Sequence, residues 1–105
     1  MSAISRINLI LNIYYDVLSV ISAAQLRAAR ALLGLDQKKL AELSGLSVPT
    51  IQRMEASEGV IRGNVDSLMK LISALDTIGI VLIGDDATSG EGGRGVRLKR
   101  SAPRE

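Results

Sequence analysis

From residue 22 onward the chain alternates polar breaks with segments whose apolar residues recur at helical spacing. Leu26, Ala29 and Leu33 form one stripe of a segment of high helix propensity, Ala23 to Leu33. Ser22 stands where an N-cap is needed, and Gly34 where a helix stops. A second helix opens after Asp36, another good cap, and runs through Leu40 and Leu43 to Ser44. Gly45 can take the left-handed conformation that reverses the chain at once, and Ala41 is small where the next helix must come close. Ser47 caps a third helix, with Pro49 tolerated in its first turn. Ile51 and Met54 face inward there, leaving Val48, Thr50, Gln52 and Arg53 pointing outward.

After a loop from Ala56 to Gly63, Asn64 caps a fourth helix with the apolar stripe Val65, Leu68, Leu71, Ile72 and Leu75, ended by Gly79. Ile80 to Ile83 reads as a short buried strand. A Gly-rich loop follows from Gly84 to Gly93, then the alternating strand Val96 to Lys99. The tail beyond Arg100 is expected to fray.

The first residues differ in kind. Ile7, Leu9, Leu11, Ile13, Tyr15 and Val17 alternate with Asn8, Ile10, Asn12, Tyr14 and Asp16, a period that favours a strand. A signal peptide is the competing reading, but Asn8, Asn12 and Asp16 interrupt the apolar run, which is also too short and polar to span a membrane. A third reading is an artefact of start choice. Ile, Asn and Tyr use A/T-rich codons and the later Ala, Arg and Gly use G/C-rich ones, so Val20 is a candidate start. The expected division is an N-terminal extension (1–21), a helical domain (22–79), a β-hairpin (80–100) and a disordered tail (101–105).

At 105 residues the chain is expected to form a single core. Apolar residues make up 47%, yet Tyr14 and Tyr15 are the only aromatics, so the core is packed from aliphatic side chains. Recognition by base stacking, which needs aromatic platforms, is disfavoured. The absence of Cys and His excludes disulfides, thiolate chemistry, zinc fingers and imidazole acid-base catalysis. No metal, cofactor or catalytic constellation is called for, and Gly90 to Gly95 lacks the strand–helix context of a phosphate loop. An enzyme is therefore not expected. The net charge of +2 is modest, but basic residues gather from Arg94 to Arg104, after Asp85, Asp86 and Glu91. That suits a protein placing a few cations against phosphates.

Residues 36–55, two short helices joined at Gly45, have the spacing of a helix-turn-helix unit, whose second helix enters the major groove of DNA. Several runs carry a resemblance: Gln25-Leu26-Arg27-Ala28-Ala29-Arg30, Gly34-Leu35-Asp36-Gln37, Leu40-Ala41-Glu42-Leu43-Ser44-Gly45-Leu46-Ser47 and Thr50-Ile51-Gln52-Arg53-Met54-Glu55. With these the segment from Ala23 to about Asp76 resembles the Xre/Cro family of lambda-repressor-like regulators. The ending, from Gly79 to Leu98, looks like a subgroup with a C-terminal β-hairpin. The segment departs from the pattern in two places. Asp36 stands where Ser or Thr is common, and would repel a nearby phosphate; Ala56-Ser57-Glu58-Gly59 stands where a second Gly and a Pro are common.

The resemblance implies a mainly α fold, a bundle of four to five short helices with a small C-terminal β element and a candidate N-terminal one. It implies that Gln37 and Thr50 hold phosphates and that Val48, Pro49, Gln52 and Arg53 face base edges. Ser47 and Lys38 complete the expected DNA contacts. Arg27 and Arg30 read either as a solvated face or as phosphate contacts. Arg53 has the alternative of an ion pair with Glu55 or Glu58, and Val48 that of packing at the helix start. Glu55 is expected to orient a helix or cap backbone rather than touch DNA. Lys38 and Lys39 divide between a solvated face and a phosphate.

Because one such helix reads few base pairs, a two-fold homodimer on a palindromic operator in double-stranded DNA is expected. An isolated hairpin is marginal and an apolar edge invites pairing with another chain, so Ile80, Val81, Leu82, Ile83, Val96 and Leu98 are the expected dimerisation residues. The expected role is a repressor or autoregulator in the cytoplasm, on the nucleoid. The alternative is an antitoxin or anti-activator whose main task is to bind a partner protein.

Overall fold

The computed structural model describes residues 20–84 and 92–100. Helices α1 (Ala23–Leu33), α2 (Gln37–Ser44), α3 (Val48–Glu55) and α4 (Val65–Thr77) are followed by strands β1 (Ile80–Ile83) and β2 (Gly95–Leu98). This is the mainly helical bundle with a small antiparallel sheet that the pattern predicts. The strand expected over residues 7–17, the question of the start and the tail from residue 101 lie outside the described residues.

Polar caps decide where the helices begin. Asp36, Ser47 and Asn64 each accept from the backbone N–H three residues on, at 2.7, 3.2 and 2.7 Å. At α1 the cap is reciprocal: Ser22 Oγ accepts from the Gln25 N–H, and Gln25 Oε1 accepts from the Ser22 N–H. Between α2 and α3 the chain turns at Gly45, whose φ is +73°. An added Cβ there would meet no atom within 4 Å, so Gly45→Ala carries only the left-handed backbone penalty. We expect a loss of about 1 kcal/mol, and less for Gly45→Asn, measured by urea unfolding. A loss above about 3 kcal/mol would point to displacement of α3 instead.

The core is aliphatic. Leu26 and Ala29 of α1, Leu40 and Ala41 of α2, Ile51 and Met54 of α3, and Leu68, Leu71 and Leu75 of α4 converge on it. Leu43 of α2, three residues after the buried Leu40, is 42% exposed. Leu40, Ala41 and Ser44 define the buried face of that helix, and Leu43 lies roughly 100° around it.

Two core residues had no periodic signal. Ile21 and Ile61 are each 1% exposed and flank an antiparallel bridge between Ser22 and Val60, with the Ile61 N–H donating to the Ile21 carbonyl at 3.0 Å. The Ala23 N–H donates to the Gly59 carbonyl at 2.9 Å, so the start of α1 is stitched to the loop ahead of α4.

The hairpin pairs Ile80 with Leu98, Val81 with Arg97, Leu82 with Val96 and Ile83 with Gly95. Alternation places Ile80, Leu82 and Val96 on the face that packs on the core, leaving Val81, Ile83 and Arg97 on the other.

Candidate nucleic-acid interface

Helix α3 has two unlike faces. Ile51, Met54 and Glu55 are buried, while Pro49, Gln52 and Arg53 are exposed and Val48 and Thr50 are half-buried. Val48 also packs against the core, so its side chain is shared between scaffold and surface. Along one stripe, Ser47 Oγ and Thr50 Oγ1 lie 2.8 Å apart and Arg53 Nη2 donates to Thr50 Oγ1 at 3.3 Å. Arg53 is thus turned toward Thr50, and not into an ion pair with Glu55 or Glu58.

Glu55 is engaged elsewhere. Although 6% exposed, its carboxylate accepts from Arg30 Nε at 2.6 Å, Arg30 Nη2 at 2.8 Å and Gln37 Nε2 at 3.3 Å. Its carbonyl accepts from Arg27 Nη1, and Arg30 Nη1 donates to the Leu35 carbonyl. Burial pushes the Glu55 carboxyl up, but the hydrogen bonds from Arg30 and Gln37 and the charges of Arg30 and Arg27 outweigh it, leaving it below the ordinary 4.5. The bond to Glu55 in turn raises Arg30. Arg30 is drawn off the solvated face into the pair with Glu55, while Arg27 stays exposed and also donates to the Glu55 carbonyl. They brace the end of α3 against α1, and Gln37 ties in α2. Of the two roles expected for Glu55, orienting a helix and capping backbone, its carboxylate takes the first.

Of the two lysines in α2, Lys39 lies 3.7 Å from Glu42, one turn on, and both are exposed. Lys38 is exposed with no ion-pair partner among the described residues. A polar cleft of about 270 Å³ adjoins α3, lined by Thr50, Arg53, Arg62, Asn64 and Ser67 among others. Arg62 on this cleft is exposed and was not among the residues expected to contact DNA. The available signal was its place two residues before the Asn64 cap, where a basic side chain sits beside a helix N-terminus.

A family model described as helix-turn-helix matches residues 26–80, just over half of the chain. The protein belongs to the helix-turn-helix family. The match is of the Xre and lambda-repressor type, and it makes the protein a DNA-binding regulator; the family is not one of enzymes. No curated protein matches the chain.

Within this helix-turn-helix protein the expected DNA contacts fall into two groups. Ser47, Val48, Pro49, Thr50, Gln52 and Arg53 share the cap and surface of α3, while Gln37 and Lys38 begin α2, where Gln37 connects to α3 through Glu55. The hairpin residues stand apart, packed chiefly on α1 and α4. Ile80 is 2% exposed and belongs to the chain's own core, Val81, Leu82, Ile83 and Val96 are half-buried, and Leu98 is 49% exposed. Among the described residues no helix is long and apolar enough to cross a membrane, and no group of three acidic residues converges as a metal site.

Proposed function

We propose that the protein is a repressor or autoregulator that binds a palindromic operator as a two-fold homodimer, with α3 of each copy in the major groove. The observation that carries this reading is the division of α3 between a buried, braced inner face and an outer face where Gln52 and Arg53 are exposed. Gln52 suits bidentate pairing with adenine and Arg53 with guanine, while Val48 and Pro49 suit contact with a thymine methyl. Residues 22–79 would form the DNA-binding domain and 80–100 the pairing element, with 1–21 as an extension and 101–105 as a tail. The site of action is the nucleoid in the cytoplasm.

The phosphate contacts are assigned to Gln37, Lys38, Ser47 and Thr50, with Arg62 added. Hydrogen-bond accounting supports them. Gln37 gives one amide hydrogen to Glu55 and keeps a second to donate. The hydroxyls of Ser47 and Thr50 hold two protons between them, and their mutual bond uses one.

Pairing is assigned to the hairpin, with Val81, Leu82, Ile83, Val96 and Leu98 contributing side chains or backbone and the buried Ile80 contributing backbone alone. Deleting the hairpin is a poor test, because Ile80, Leu82 and Val96 pack on the protomer's core. Val81→Lys combined with Ile83→Lys leaves that face intact and places charge at the pairing edge. Light scattering should show the variant as a monomer with unchanged helical circular dichroism; a dimer that persists would refute hairpin pairing. For function, nuclease footprinting of the wild type on DNA upstream of its own gene should give a salt-sensitive protected site with two-fold symmetry. No protection there would count against autoregulation.

One observation favours a second reading, an antitoxin or anti-activator that holds a partner protein. Leu43 and Met69, 42% and 48% exposed, line a groove of about 500 Å³ between α2 and α4. Co-purification with a partner that stabilises the protein, without an operator footprint, would select it.

A further inference from the structure

Gln25 is 3% exposed, and every hydrogen-bonding group it carries is used. Its N–H donates to Ser22 Oγ at 3.1 Å, and its Oε1 accepts from the Ser22 N–H at 2.8 Å and from Arg94 Nη1 at 3.5 Å. Its Nε2 donates both hydrogens across the molecule, to the carbonyls of Ile83 and Gly95, each at 2.9 Å. Ile83 and Gly95 face each other at the loop end of the hairpin. One side chain thus caps α1 and grips both strands.

The hairpin needs such a grip if it is to set a geometry. It leaves α4 through Gly79, at φ +103°, where a single backbone position controls its direction. At its near end the Lys99 N–H donates to the Gly79 carbonyl at 2.7 Å, and Lys99 Nζ meets exposed Asp76 at 2.7 Å. The far end lies roughly 13 Å along a four-residue strand. Apolar packing of Leu82 and Val96 holds the sheet down but is non-directional. The paired bonds from Gln25 are directional and shielded from water.

We propose that Gln25 is a positioning residue for operator binding: by clamping the hairpin to α1 it fixes the angle between the pairing strands and the recognition helix, and so the half-site spacing that the dimer reads. This rests on the hairpin-paired, two-fold reading above. Half-sites lie about one DNA turn apart, and one inserted base pair shifts them by about 3.4 Å and a tenth of a turn. A rigid clamp makes the protein intolerant of that shift.

Gln25→Glu separates the clamp from the cap. The carboxylate still accepts from the Ser22 N–H and faces Arg94, but it has no hydrogen to give to Ile83 or Gly95. Gln25→Met removes the polar head altogether. The probes are duplexes bearing the footprinted site with one or two base pairs inserted or removed between half-sites, read by anisotropy. The wild type should show a sharp optimum. Either folded variant should bind the optimal spacing about tenfold more weakly and lose little further affinity on the altered ones. Uniform weakening at every spacing overturns the inference, since lost stability alone would produce it. Loss of helical structure in both variants overturns it too, because Gln25 would then be core rather than clamp. If the wild type itself shows no optimum, the two-fold reading has failed, and amide exchange decides the clamp. Faster exchange in β1 and β2 with α1 to α4 unchanged supports it, and unaltered strand exchange refutes it.

Discussion

Glu55→Ala is expected to lower stability by about 3 kcal/mol, the largest effect of any single substitution discussed for this chain. The carboxylate is nearly inaccessible and is the shared acceptor for Arg30 and Gln37. Removing it leaves the Arg30 guanidinium half-buried, with one bond to the Leu35 carbonyl. That side chain is 23% exposed, so water recovers part of the loss and the lower end of the usual range applies. Urea unfolding measures the change, and a shift below about 1 kcal/mol would show that the pair contributes little. Acid provides an independent check. The folded-state carboxyl titrates below its ordinary 4.5, so its contribution is complete above that value and fades as pH falls through the lower folded one. The stability gap between wild type and Glu55→Ala should therefore narrow at strongly acidic pH and stay constant near neutrality.

Gln52→Ala and Arg53→Ala should behave in the opposite way, leaving stability within about 0.5 kcal/mol of wild type while each weakens operator binding by roughly five- to 150-fold. Both side chains are exposed on α3, and neither fills the core. The loss should be confined to operators carrying the matching base pair, so a substituted base at that position erases the difference between wild type and variant. Lys38→Ala provides the contrast, since a phosphate contact weakens all sequences alike and reduces the salt slope by about one. If Gln52→Ala and Arg53→Ala weakened every duplex equally, α3 would be holding the backbone and base reading would have to come from elsewhere.

The helix limits were legible in the sequence because capping is short-range chemistry. Ser22, Asp36, Ser47 and Asn64 act on N–H groups three residues away, and Gly45 acts on its own backbone. The same holds for the inward pair Ile51 and Met54, where periodicity alone separates the buried face of α3 from the exposed one. Arg30 could not be read this way. In the sequence it is one more basic residue off an apolar stripe, and its partner lies 25 positions on. The exposure of Leu43 has a related cause: its spacing from Leu40 is helical, but which arc of α2 is covered depends on where α3 and α4 come to rest.

By itself, then, the sequence determined the class of the protein: four capped helices, the tight bend at Gly45, and an α3 with Gln52 and Arg53 outward, all consequences of local propensity and period. Tertiary structure alone decided how that helix is held and how the hairpin is aimed. Glu55 collects Arg30 and Gln37 from two other helices, and Gln25 reaches carbonyls 58 and 70 residues away. Such bonds depend on the relative placement of whole elements, set by packing of the shared core, and no local pattern encodes the pairing of a buried polar group with a distant partner.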